Sequence, residues 1–286
     1  MNALSSQNLL SAQSPDRRVT IGLDPLEEIR QLSDARQLVC PFCEAPVVLH
    51  AGAVRAHHFA HLPGARCRLP QTEPETMEHR EGKLRIAQWL QQKLPGARVV
   101  VEAYLPETGQ RADVLVMLPE HPFGKIVLEF QCANLSAREW RRRHRLYRSA
   151  GVSDLWFLGG SRLRPADSAP GQIITLRTTE LERAMLWDGA PLLFLDVDGT
   201  LLPADTLARF RPDAEAQAIL PQGRLSMKPL EALDFPLALL DWPNAPDPQF
   251  PVVRTHAPQA LPDSGGTVSS SDFWLWEWLA RRYRVT

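Results

Sequence analysis

The sequence predicts an α+β fold in which a small cysteine-knuckle module precedes an αβββαβ core and a C-terminal accessory region. Three observations predict it. Cys40-Pro-Phe-Cys43 is followed by His58, His61 and Cys67, a spacing that suits a soft metal. A helical stripe then gives way to three β-branched or aliphatic runs at 99–105, 112–118 and 125–132. Two acids, Asp113 and Glu129, stand inside the second and third of those runs, ahead of a helix crowded with arginine.

With 286 residues, of which 44% are hydrophobic and 23% charged, the chain can bury a sizeable core and accommodate more than one domain. No run reaches the ~18 apolar residues of a membrane helix, and Met1-Asn-Ala-Leu-Ser-Ser-Gln7 has no charged segment ahead of an apolar one, so no membrane association and a cytoplasmic location are expected. A net charge of -1 excludes an indiscriminate polyanion binder. The charge is uneven, however, at +3 over residues 1–160 against -4 over 161–286. Any nucleic-acid surface is therefore local, and Arg138, Arg141, Arg142, Arg143, Arg145 and Arg148 mark where it would lie.

Taken in order, residues 1–19 are expected to be a disordered N-terminus, with a short strand beginning at Arg18. Residues 20–70 hold the knuckle module, and 71–160 the core, introduced by a Pro-rich linker. Leu84, Ala87, Leu90 and Leu94 form one stripe of a helix over 75–94 that Pro95-Gly96 ends. Pro-Glu-Thr-Gly and His-Pro-Phe-Gly turns bound the three strands. Ser136-Ala-Arg-Glu139 is a capping box opening the arginine helix, Gly151 closes it, and Asp154–Leu158 reads as a fourth strand. Residues 161–286 form the accessory region, with a helical segment at Thr179–Trp187 and an aromatic C-terminal helix beginning at Ser271.

Zinc is the metal expected at the knuckle, with Cys40, Cys43, His61 and Cys67 as the preferred ligands and His58 as a substitute for His61. Free thiols beside surface histidines are the competing reading. In the core, side chains alternate along a strand, so Glu129 and Gln131 share a face. If Asp113 stands at matching height on the neighbouring strand, Asp113 and Glu129 can both ligate Mg2+ or Mn2+, which polarises a phosphodiester and supplies hydroxide. Gln131 would then orient water or phosphate. Two acids at solvent-facing strand edges remain the alternative. His79 and Lys83, one helical turn apart, face the same way and either reach these acids or belong to an exposed face beside Glu75 and Glu78. On the arginine helix, Arg143 and Tyr147 at i and i+4 are placed nearest the site, Arg142 with them toward DNA, and Trp140 inside.

The motifs occur in a telling order: Cys40-Pro-Phe-Cys43, His58-Phe-Ala-His61, His79 and Lys83, Glu102, Arg111-Ala-Asp113, Glu129-Phe-Gln131, and Ser136 through Tyr147 to Trp156. This succession is similar to the PD-(D/E)XK nuclease core and, more narrowly, resembles the competence protein CoiA-like family over residues 35–160. The resemblance implies a restriction-endonuclease-like core behind a zinc-ribbon-like module. It further implies Asp113 and Glu129 as magnesium ligands, with His79, Lys83, Glu102 and Gln131 completing the catalytic set. DNA is the implied partner, touched by Arg111, Arg142, Arg143 and Tyr147, with recombination proteins as further partners. Gln131 occupies the place where the wider superfamily has lysine. A glutamine carries no positive charge, so either Lys83 reaches in from the first helix or the activity is weakened or absent.

A catalytically inactive DNA-binding accessory factor is accordingly the second hypothesis. A third comes from Leu193-Phe-Leu-Asp196-Val-Asp198-Gly-Thr200, which is similar to the first motif of haloacid-dehalogenase-type phosphotransferases. Asp198-Gly199 between apolar runs also reads as a hairpin turn.

Overall fold

The computed structural model describes residues 8–197 except 66, 68–74, 95, 118–123, 163, 166–173, 189, 191 and 196, and beyond them strands at 210–212, 224–229 and 236–241. Asp196, Asp198–Thr200 and the expected C-terminal helix from Ser271 lie outside the described residues.

The N-terminal segment overturns the expectation of disorder over the part described. Strands β1 (Ser11–Gln13) and β2 (Arg18–Thr20) pair antiparallel, turned by Ser14, whose hydroxyl donates to the Arg17 carbonyl at 2.7 Å. The residues just before β1 alternate in destination. Leu9 enters a core with Phe59, Cys40 and Ile29, whereas Leu10 enters the main core with Leu84, Val101 and Phe130. Successive side chains of an extended chain point to opposite sides, so this short stretch serves two cores at once. The polar composition of residues 1–17 conceals that two-residue apolar step.

Helix α1 (Leu26–Asp34) was not anticipated. It starts after Pro25, places Glu27 and Glu28 at its positive N-terminal end, and buries Ile29. Strands β3 (Val47–His50) and β4 (His58–His61) form the hairpin of the knuckle module, in the register Val47↔His61.

Helix α2 (Met77–Lys93) is capped by Thr76, whose side chain accepts the His79 N–H. Its buried stripe includes Leu84, Ile86, Ala87, Trp89 and Leu90. Strands β5 (Arg98–Leu105), β6 (Gln110–Met117) and β7 (Lys125–Gln131) run antiparallel in sequence. Helix α3 (Ala137–Ser149) leads to β8 (Ser153–Gly159), parallel to β7. The αβββαβ succession is therefore present. Ser136 caps α3 by accepting the Glu139 N–H at 3.1 Å, and Gly151 ends the turn after it at a φ of +69°. The Glu139 carboxylate, expected to complete the capping box, pairs with Arg142 instead.

The boundary expected at residue 160 cuts through the sheet. Beyond β9 (Arg164–Pro165), β10 (Ile174–Arg177) and α4 (Glu180–Trp187), strand β11 (Leu192–Leu195) lies parallel beside β8. Strand β12 (Phe210–Pro212) pairs with β10, while β13 (Arg224–Pro229) and β14 (Pro236–Asp241) extend the main sheet. Its order is β13-β14-β11-β8-β7-β6-β5. All four residues of β11 are buried, which is what a strand covered on both faces demands of Leu-Leu-Phe-Leu. No helix among the described residues is long and apolar enough to cross a membrane.

Candidate functional site

Three carboxylates stand at one level across three adjacent strands. Val101↔Val114 and Ala103↔Ala112 in the β5–β6 register set Glu102 opposite Asp113. Val114↔Leu128 is the last paired rung of β6–β7, and Asp113, one residue further, is level with Glu129. At that point the Asp113 carboxylate accepts the Phe130 backbone N–H at 2.9 Å, taking the place of a ladder acceptor.

Helix α2 brings a histidine and a lysine to this level. Gly82 makes the approach possible, because a Cβ there would stand 2.0 Å from the Phe130 ring. On the same helix His79 stacks on Phe130 at 6.2 Å and sets Nε2 3.1 Å from Asp113. Lys83 is 1% exposed; its Nζ donates to Glu102 at 3.0 Å and pairs with Glu75. Glu102 also accepts the Leu10 N–H at 3.0 Å.

The electrostatics follow from these contacts. Burial alone would raise the Asp113 carboxyl, but the His79 charge and hydrogen bond, Lys83 and the Phe130 N–H hold it well below the carboxylate range. Burial likewise opposes ionisation of Glu102, and Lys83 with Arg111 overcomes it, bringing Glu102 down to about 2. His79 is raised because Asp113 outweighs burial.

Helix α3 supplies the other side. Glu129, 2% exposed, accepts from Arg143 and from the Tyr147 hydroxyl, each at 2.5 Å. Burial nonetheless pushes it up to about 7, helped by the neighbouring charges of Asp113 and Asp154 against Arg143. Arg143 donates to Gln110 at 3.3 Å and lies 5.0 Å over the Trp156 ring. The sequence reading missed Asp154, which is buried, accepts the Trp156 indole N–H at 2.6 Å and meets His144 Nδ1 at 2.8 Å. A lone acid in the apolar run Leu-Trp-Phe-Leu was the available signal.

Asp113, Glu129, Glu102, Lys83, His79, Arg143 and Tyr147 are thus brought together. Gln131 is not turned to the acids: its side-chain amide donates to the Ala133 carbonyl at 2.8 Å. Arg142 is on the exposed side of α3, paired with Glu139, and Arg111 stands across from Tyr104, its charge helping to lower Glu102. Arg141, from the same cluster, pairs with Asp188. Trp140 is buried, as expected.

In the knuckle module, one potential ligand atom from each of Cys40, Cys43, His61 and Cys67 lies within 4.8 Å of the others. Three sulfurs and an imidazole suit a structural zinc. Burial pushes the Cys40 thiol up to about 12 against the Phe42 and Cys43 N–H groups that point to it, so a bound cation is what would keep it a thiolate. Glu44 takes a φ of +59° as its N–H closes the turn onto the Cys40 carbonyl. His58 is not in the group; it stacks on His50 at 5.1 Å and its Nδ1 meets the Ala56 carbonyl.

A domain model described as the competence protein CoiA nuclease-like domain matches residues 75–195, and the CoiA N-terminal domain model matches 24–70. Competence protein CoiA of Bacillus subtilis (strain 168) is 31% identical over 140 residues, 49% of this chain and 36% of that relative. The matched part therefore spans about a third of the relative's length. No solved structure matches. With both domain models in chain order, one across the Cys/His group and the other across the carboxylate row, the chain belongs to the competence protein CoiA-like family.

Proposed function

We propose that this chain is a restriction-endonuclease-like, magnesium- or manganese-dependent nuclease acting on DNA during competence or recombination. The observation that carries this reading is the alignment of Glu102, Asp113 and Glu129 at one level, flanked by Lys83 on one helix and Arg143 on the other. Carboxylate oxygens are the hard donors such ions take, and a buried Glu129 held at about 7 beside another acid is one that a divalent cation would relieve. Asp113 and Glu129 would hold the ion, which when bound supplies Lewis-acid polarisation of the phosphodiester. His79 fixes the Asp113 carboxylate and Tyr147 that of Glu129, while Arg143 and Lys83 place positive charge beside the position a phosphate would take. The zinc-ribbon-like module would hold structural zinc on Cys40, Cys43, His61 and Cys67. Recombination proteins are the partners this role implies.

A second reading, a DNA-binding accessory factor without catalysis, draws support from Gln131, whose amide is directed to Ala133 rather than to the acids. The test is cleavage of single-stranded, duplex and branched DNA by the purified chain with magnesium and with manganese. Asp113→Asn and Glu129→Gln should each abolish cutting and leave DNA binding equal or tighter. If the wild-type chain cuts none of these forms with either metal, the accessory reading replaces the nuclease.

A further inference from the structure

Glu102 is a non-glycine residue with a φ of +55° in the middle of a strand. Such a conformation persists only where the surroundings hold it. Arg18 does so: one guanidinium nitrogen donates to the carbonyls of both Val101 and Glu102, at 2.9 and 3.0 Å. The same guanidinium stands 5.7 Å over the ring of Phe42, which lies between Cys40 and Cys43. One arginine therefore touches both the metal-ligand turn and the irregular backbone from which Glu102 reaches Lys83. The flanking segment follows the same route. Leu9 exchanges backbone hydrogen bonds with Phe59 at 3.0 and 2.8 Å in the strand that ends at His61, and Leu10 donates to Glu102.

We infer that Arg18 is a positioning residue that transmits the order of the Cys/His metal site to the backbone at Glu102, and through Lys83 to the acidic centre. Metal-ordered turns of this size lose their structure without the ion. Loss of zinc would take away the ring on which Arg18 rests, and with it the clamp on Val101 and Glu102. The effect on divalent-metal binding rests on the function proposed above; the link from knuckle to strand does not.

The test uses the full chain loaded with zinc, as wild type, Arg18→Lys and Arg18→Ala. Lysine keeps the charge but loses the planar fork and the stacking surface, so it serves if the alanine variant does not fold. Zinc content should stay at the wild-type level in both variants. Amide exchange at Leu10 and across residues 98–105 should speed up at least tenfold, and Mn2+ affinity should fall about 10- to 100-fold, the cost of losing a supporting contact to a metal site. Chelating zinc from the wild type should reproduce the exchange pattern, and chelation in the Arg18 variants should add little to it. Unchanged exchange over 98–105 in Arg18→Lys would overturn the inference, as would a chain that holds no zinc or zinc removal that loosens these residues equally in every protein. Exchange that follows Arg18 in a chain binding no Mn2+ keeps the link and removes the nuclease reading. Mn2+ binding lost in Asp113→Asn but untouched by the Arg18 variants does the reverse.

Discussion

Lys83→Met removes the cation between two acids, and its cost can be worked from the geometry. Lys83 and Glu102 are each 1% exposed, and the methionine that replaces the lysine fills a similar volume. What remains is a buried carboxylate with its Leu10 N–H but without its counter-charge. Breaking a buried pair in this way costs about 3–5 kcal/mol. The linkage argument agrees: Glu102 lies at about 2 in the folded chain against an ordinary 4.5, a difference worth on the order of 3 kcal/mol. A lowered carboxyl contributes stability that is complete above about 4.5 and is lost as pH falls toward 2. The deficit of the variant should therefore be largest at neutral pH and shrink on acidification in two stages, first above about 4.5, where Glu102 of the variant, pushed up by burial, takes a proton, and then below it, where the wild type loses its own contribution. Urea unfolding of both proteins at several pH values measures it, and because acid would release a zinc held at the Cys/His group from both alike, the difference between them isolates the pair. A deficit under about 1 kcal/mol at neutral pH, or one that does not change on acidification, would refute the buried pairing.

Glu129 should govern the pH dependence of metal binding. Its raised carboxyl favours the neutral form, so in the metal-free protein its ionisation lowers stability as pH rises from about 4.5 through 7; Glu129→Gln should abolish that slope in unfolding experiments. Mn2+ affinity should climb about tenfold per pH unit below 7 and level off above it, and a flat wild-type profile in calorimetry would contradict this. At the knuckle, replacing Cys40 and Cys43 together by Ser should release about one zinc per chain and speed amide exchange in β3 and β4. Unchanged metal content in the double variant would rule out the site.

What could be read from the sequence divides along the range of the interactions involved. The core helix, the three strands and the arginine helix were legible because each is a local pattern: a stripe at Leu84, Ala87 and Leu90, apolar runs between turns, a cap at Ser136. Pairings at one helical turn were legible too, as His79 with Lys83 and Arg143 with Tyr147, since helix geometry alone puts them on one face. The N-terminal strands were not. Leu9 and Leu10 are two apolar residues in a polar stretch, and only the opposite sides of an extended chain explain why one meets Phe59 and the other Val101. The pairing of strand β11 was not legible for a related reason. Leu-Leu-Phe-Leu fits one arm of a hairpin or a buried parallel strand equally well, and its place beside β8 is set by a pairing some 35 residues back in the chain.

Gln131 joins these two kinds of reading. Alternation along β7 gave it the same face as Glu129, which made it a candidate to touch a phosphate, yet its amide is held by Ala133 just past the end of the strand. Arg162 donates to that same carbonyl at 2.9 Å and, through a second nitrogen, to Glu182 of α4 at 3.1 Å, both side chains being buried. The strand end is thereby tied to a helix from the region expected to be accessory. Positive charge next to the acids comes instead from Lys83 on α2, where His79 also meets Asp113, and from Arg143 on α3, the two helices that pack against the strands carrying them. A cation on a helix is set by how closely that helix can approach, which for α2 is the distance the bare Cα of Gly82 allows to Phe130. The charge that a strand lysine would supply locally is in this chain a property of helix packing.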